Sequence, residues 1–129
     1  MDSITEAGIK KKSFELYYNG GSIWCEHLDG MGCFKEKVIE KFLDDCPKFS
    51  KPSMTSFMII NLDRTELDEE IISCIVKAIT ETDKCFMKIA FVGVEGFFNR
   101  RAFREIGKMK GCGVKFLDDY EKAKQWVLP

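Results

Sequence analysis

A chain of 129 residues, 45% hydrophobic and 32% charged, has the size and make-up of one globular domain and excludes a wholly disordered chain. No apolar run approaches the ~18 residues needed to cross a bilayer, so no membrane span is expected. The start, Met1-Asp2-Ser3-Ile4-Thr5-Glu6, lacks the basic region and apolar stretch of a secretory signal, and a cytoplasmic location is expected.

In chain order, residues 1–12 are polar, end in Lys10-Lys11-Lys12, and read as a loosely ordered lead-in. Phe14 to Tyr18 and Ser22 to Leu28 have strand composition and are separated by Asn19-Gly20-Gly21, whose first two residues accept the positive φ of a tight turn. These predict a β-hairpin. After Gly30-Met31-Gly32, Phe34, Val38 and Phe42 recur at four-residue spacing with Ile39, Leu43 and Cys46 beside them, the stripe of a helix that Pro47 is expected to stop. Phe57 to Leu62 is a nearly continuous apolar run, as in a strand buried on both faces.

A second helix is expected from Thr65, with Leu67, Ile71, Ile72, Ile75, Val76 and Ile79 on one stripe. Thr65 and Asp68 have the spacing of a capping box. Phe86 to Val92 reads as another buried strand closed by Gly93, Phe97 to Lys108 as a third helix, and Val114 to Leu117 as a last strand. Asp118 or Asp119 is placed to cap a final helix carrying Tyr120, Ala123 and Val127. Strands alternating with helices predict an α/β fold: a four- to five-stranded, mainly parallel sheet with an antiparallel N-terminal strand and about four helices, in one domain over residues 1–129.

Six cysteines are scattered with no CxxC and no Cys/His pair at zinc spacing, so free thiols are expected and neither a metal nor a cofactor. His27, the single histidine, stands two residues from Cys25, on the same side of a strand, with no further ligand or nucleophile motif. A partly buried structural histidine is the expected reading, and no catalytic residue is assigned.

Charge is uneven. Residues 1–82 carry a balance of −5 and residues 83–129 one of +4. The loop Gly93-Val94-Glu95-Gly96 opens a helix at a strand end, where α/β proteins hold ligands and helix N-termini attract anions. Asn99, Arg100, Arg101 and Arg104 add donors and charge to Gly93 and Gly96, so an anion site is weighed against solvated arginines. Phe97 and Phe98 are adjacent and cannot share one narrow stripe. Core packing is the expected fate of the pair, with partial exposure of one of them as the alternative. The pI near 5.9 and the lack of any recognised nucleic-acid motif speak against nucleic-acid binding.

The last third carries a family pattern. Lys88-Ile89-Ala90-Phe91-Val92-Gly93-Val94-Glu95-Gly96, followed by a helix and then by the closing segment Val114 to Leu128 with its Phe116, Ala123 and Trp126, resembles the STAS-like domains (sulfate transporter and anti-sigma-factor antagonist), especially their stand-alone bacterial kind. The element order is similar from about residue 13 to residue 129. The resemblance implies a regulatory or binding module and no enzyme. It also implies a phosphorylated Ser or Thr at the start of the second helix, and there the chain departs: after Leu62-Asp63-Arg64 the nearby hydroxyl is Thr65, followed by Glu66, Leu67 and Asp68-Glu69-Glu70. The acids either replace a reversible charge or complement the helix dipole, by roughly 0.3–1 kcal/mol each; the second account is preferred, and Thr65 is read as a cap.

The leading expectation is therefore a module that docks a protein partner through Asp63, Thr65, Glu66, Asp68 and Glu69. The alternative is a carrier or sensor of a small anionic or lipid-like ligand at Gly93, Gly96, Phe97, Asn99, Arg100, Arg101 and Arg104. Monomer and homodimer are both compatible with the sequence.

Overall fold

The computed structural model describes residues 11–129, so the expected lead-in falls largely outside the described residues. Five strands and four helices follow in the order β1 (Phe14–Tyr18), β2 (Gly21–His27), α1 (Lys35–Phe49), β3 (Phe57–Asn61), α2 (Glu69–Glu81), β4 (Lys88–Val92), α3 (Phe97–Lys110), β5 (Gly113–Leu117) and α4 (Tyr120–Val127). The strands form one sheet in sequential order, with β1 antiparallel to β2 and all later neighbours parallel. This is the α/β architecture expected from the sequence. Among the described residues no helix is long and apolar enough to cross a membrane.

Sequential strand order dictates the layering. Crossovers of one hand that all step in the same direction put their helices on the same side of the sheet. Accordingly α1, α2 and α3 share one face. Val38, Phe42, Ile71, Ile75, Ile79, Phe103 and Ile106 pack there on Trp24, Met58, Ile60, Ile89 and Phe91. The alternate strand residues Ile23, Cys25, Ile59, Ala90 and Val92 point to the other face, where Ala123 and Val127 of α4 meet them. The hairpin turns where Asn19 (φ 48°) and Gly20 (φ 80°) both take the left-handed conformation.

Several element boundaries depart from expectation: β4 begins at Lys88 and not Phe86, α3 runs on to Lys110, and two further departures have a physical cause. α1 continues through Pro47 to Phe49. The ring forgoes a single helical hydrogen bond in the last turn, while Phe49 is buried against Trp24, Phe42 and Phe86, a gain of about 1.5–3 kcal/mol. α2 begins at Glu69, not near Thr65; its N-cap is Asp68, whose Oδ1 accepts from the Ile71 amide at 2.9 Å. The sequence pattern has several hydroxyl and acid positions close together there, and the cap falls on the acid three residues before Ile71, leaving Glu69 and Glu70 in the first turn.

Candidate functional site

The carboxyl ends of β2, β3 and β4 release three loops that lie side by side. The loop after β2 runs against the loop after β3: Gly30 N–H donates to the Asp63 carbonyl (2.8 Å), Gly32 N–H to that of Arg64 (3.0 Å), and Glu66 N–H to that of Gly32 (2.8 Å). Thr65 fastens the pair. Its hydroxyl donates to the Leu28 carbonyl at 2.5 Å and accepts from the Met31 amide at 3.2 Å. At 8% exposure, Thr65 is therefore a clasp between loops and not the helix cap expected from the sequence.

The loop after β4 closes against the same segment. Leu62 N–H donates to the Val92 carbonyl (2.8 Å), and Asn61 Oδ1 accepts from the Asp63 amide (3.1 Å), which turns the chain outward at Asp63. Arg64 then stands exposed in the left-handed region at φ 57°, a conformation uncommon for a residue with a side chain. The two candidate segments of the sequence thereby become one place. Asp63, Arg64, Thr65, Glu66, Leu67, Gly93, Glu95 and Asn99 line a single open crevice of about 480 Å³.

The crevice is mostly acidic. Asp63, Glu66 and Glu95 are exposed around it, against Arg64. Just beyond, the Ile71 amide and the Lys35 ammonium, 3.3 Å from Asp68 Oδ2, hold the Asp68 carboxyl below the usual range even against partial desolvation. Lys35 also reaches Glu70 (3.3 Å), while Glu69 extends freely among the exposed acids of this turn.

The expected anion donors are deployed differently. Asn99 Nδ2 donates to the Glu95 carbonyl (3.1 Å) and Arg100 Nε to the Val94 carbonyl (2.9 Å), so both stabilise the Gly93–Gly96 loop itself. The guanidinium carbons of Arg100 and Arg104 lie 5.5 and 5.2 Å from the centre of the Phe116 ring on β5. Arg101 is exposed. Gly96, at φ 91°, precedes α3 with no side chain capping its first turn.

Phe97 and Phe98 are both outside the core, at 67% and 79% exposure, edge to face with centroids 5.6 Å apart. This corrects the expectation of core packing. The stripe of α3 that meets the sheet starts later, at Phe103 and Ile106, so the first turn projects beyond the layer it would have to pack on.

The Cys25 and His27 side chains are both buried and engaged by other residues. Burial pushes the Cys25 thiol up despite a contact with the Tyr120 hydroxyl at 3.0 Å. The buried His27 faces Asp29 through Nδ1 (3.3 Å) and packs between Phe14 and Tyr120. All six cysteines are free thiols, and among the described residues no group of three or more His, Cys, Asp or Glu side chains converges as a metal site.

Sequence reasoning missed the brace that Leu28 to Gly32 place against the loop after β3. Gly30 and Gly32, at φ 70° and 55°, were the signal for it: two glycines flanking Met31 mark a backbone that must double back along a neighbour. Nothing in the sequence distinguishes Arg64 as the residue with left-handed backbone. Comparison of the chain with family models, with curated proteins and with solved structures finds no match.

Proposed function

We propose that this chain is a non-catalytic regulatory module of the cytoplasm that docks a protein partner at the carboxyl edge of its sheet. The observation that carries this reading is the exposure of Phe97 and Phe98, two and three residues on from Glu95 in the acidic rim that Glu95 forms with Asp63 and Glu66; Glu69 is exposed just beyond it. Two large aromatic side chains in water are costly unless a partner covers them, and aromatic anchors ringed by charge are the usual anatomy of a protein interface. The fitting partner presents an apolar socket bordered by Lys or Arg. The STAS-like resemblance supports the same class of function, and the burial of Cys25 and His27 favours binding over catalysis.

A small-molecule carrier has less in its favour. The crevice is shallow and open, its acids repel an anionic ligand, and Asn99 and Arg100 are spent on backbone carbonyls.

The deciding experiment is native mass spectrometry of protein purified gently from its source cells, alongside the Phe97→Ser/Phe98→Ser and Glu66→Lys/Glu69→Lys variants. A co-purifying protein held by the parent chain and lost from both variants, with their melting temperatures unchanged, is the expected result. Retention of the partner by both variants would overturn the proposed surface. A small bound mass in place of a protein would overturn the module reading in favour of the carrier.

A further inference from the structure

β5 is an edge strand: it pairs with β4 on one side only. Gly113 N–H donates to the Met87 carbonyl (3.0 Å) and the Leu117 carbonyl accepts from Gly93 N–H (3.2 Å), so the odd-numbered residues of β5 spend their backbone groups on β4. By the alternation of a parallel ladder, Val114 and Phe116 direct their N–H and C=O groups to the open side.

Cations flank this edge on both faces of the sheet. On the α3 face, Arg100 and Arg104 lie over Phe116 at 5.5 and 5.2 Å from the ring centre. On the α4 face, Lys88 and Lys115 lie over Trp126 at 5.1 and 5.9 Å. Among the described residues none of these four is in an ion pair with a carboxylate, whereas Lys35, Lys41, Lys48, Lys108, Lys122 and Lys124 all are. Arg100 and Lys88 are held by the Val94 and Trp126 carbonyls (2.9 Å each), which leaves Arg104 and Lys115 as the uncommitted pair, one on each face. The opposite edge differs. Near β1, Lys124 lies over Tyr18 but is tied to Glu121 at 2.8 Å.

We propose that the open edge of β5 is a docking site for an acidic, extended peptide segment of a partner protein, which adds to the sheet as a sixth strand. The free amides and carbonyls of Val114 and Phe116 supply the main-chain pairing, as in strand addition generally. Successive side chains of the added strand point to opposite faces, so carboxylates at neighbouring positions meet Arg104 on one side and Lys115 on the other. A second copy of this chain is a poor occupant, because edge-to-edge pairing would bring two sets of unpaired cations together. Single-stranded nucleic acid is a poor one too: the rings that would stack bases are covered by the protein's own cations. This surface is distinct from the acidic crevice and does not depend on the function proposed there.

The test uses an acetylated ten-residue peptide of glutamates with two central valines, followed by amide NMR and hydrogen exchange on the full chain. Slowed exchange at Val114 and Phe116 on saturation, with binding at least tenfold weaker for Arg104→Glu/Lys115→Glu, is expected. Both substituted residues are exposed, and an unchanged melting temperature confirms that the variant folds. Binding without slowed exchange at those two amides would overturn strand addition. No binding of the peptide, or a preference for ten-residue oligothymidine over it, would overturn the proposal outright.

Discussion

The Cβ that Gly93 lacks would lie 2.5 Å from the Cα of Asp63 and 2.7 Å from its amide nitrogen. Gly93 itself sits at φ 80°. Two loops that leave adjacent strands can thus lie backbone against backbone, and this close approach brings the segments around Asp63 and Glu95 to one crevice. Sequence separation of about thirty residues is erased by the absence of one methyl group.

Gly93→Ala should accordingly be among the costliest single-methyl additions in the chain. The left-handed backbone costs about 1–2 kcal/mol for a residue with a side chain, and displacement of a neighbouring main chain adds a further 1–3 kcal/mol or so. A loss of about 2–5 kcal/mol in chemical denaturation is expected. Gly20→Ala, at the same φ of 80° but with nothing within 4 Å, should lose only the conformational part. Equal losses for the two variants would show that close approach to Asp63 contributes nothing.

The fold was legible because periodicity reports burial, and burial decides layers. The run Phe57 to Leu62 had to be covered on both faces, and the stripes ending at Ile79 and Ile106 had to lie on one side of a sheet. The site was half legible. Composition pointed to Asp63–Glu69 and to Gly93–Arg104 separately, but nothing local says that β3 and β4 are neighbours, so their union could not be read. Side-chain direction was hidden for the same reason. Whether Arg100 reaches for an anion or for the Val94 carbonyl depends on where Phe116 lies, sixteen residues on and on another element.

Thr65 offers a graded test of the clasp. Thr65→Val keeps the shape and removes the hydroxyl, leaving the Leu28 carbonyl and the Met31 amide without their partner. Unsatisfied buried groups cost about 1–3 kcal/mol, and that range is expected in urea denaturation. Thr65→Ser restores the hydroxyl at the loss of a methyl and should cost about 1 kcal/mol or less. Hydrogen exchange at the Met31 and Gly32 amides should quicken in the valine variant alone. If serine and valine cost the same, the hydroxyl is not what holds the loops.

The exposed pair predicts the reverse behaviour. Because Phe97 and Phe98 touch each other and not the core, Phe97→Ser/Phe98→Ser should leave stability within about 0.5 kcal/mol of the parent chain while lowering its retention on a hydrophobic-interaction column. A loss of 2 kcal/mol or more would mean that the pair packs on the fold and is not free to receive a partner.

Glu26 predicts an alkaline weakness. Its side chain is fully buried on β2; Oε1 accepts from Trp24 Nε1 at 2.9 Å, and Oε2 meets no hydrogen-bond partner among the described residues. Burial, reinforced by the neighbouring Asp45, pushes the Glu26 carboxyl up to about 9, so at neutral pH it is a neutral acid. Asp45 is in turn held below its ordinary range: burial opposes its ionisation, but Glu26 and Ser13, with Lys41 and Lys48, outweigh it. A raised carboxyl binds its proton in the folded chain and releases it in the unfolded one between the ordinary value of 4.5 and about 9. Stability must therefore fall with rising pH across that window, by up to about 1.4 kcal/mol per pH unit from this group. Glu26→Gln retains the Trp24 acceptor but cannot ionise. Its stability relative to the parent chain should rise steadily from pH 5 to pH 9 in urea titrations. A difference between the two chains that stays flat over that range would show that Glu26 is already ionised inside the fold.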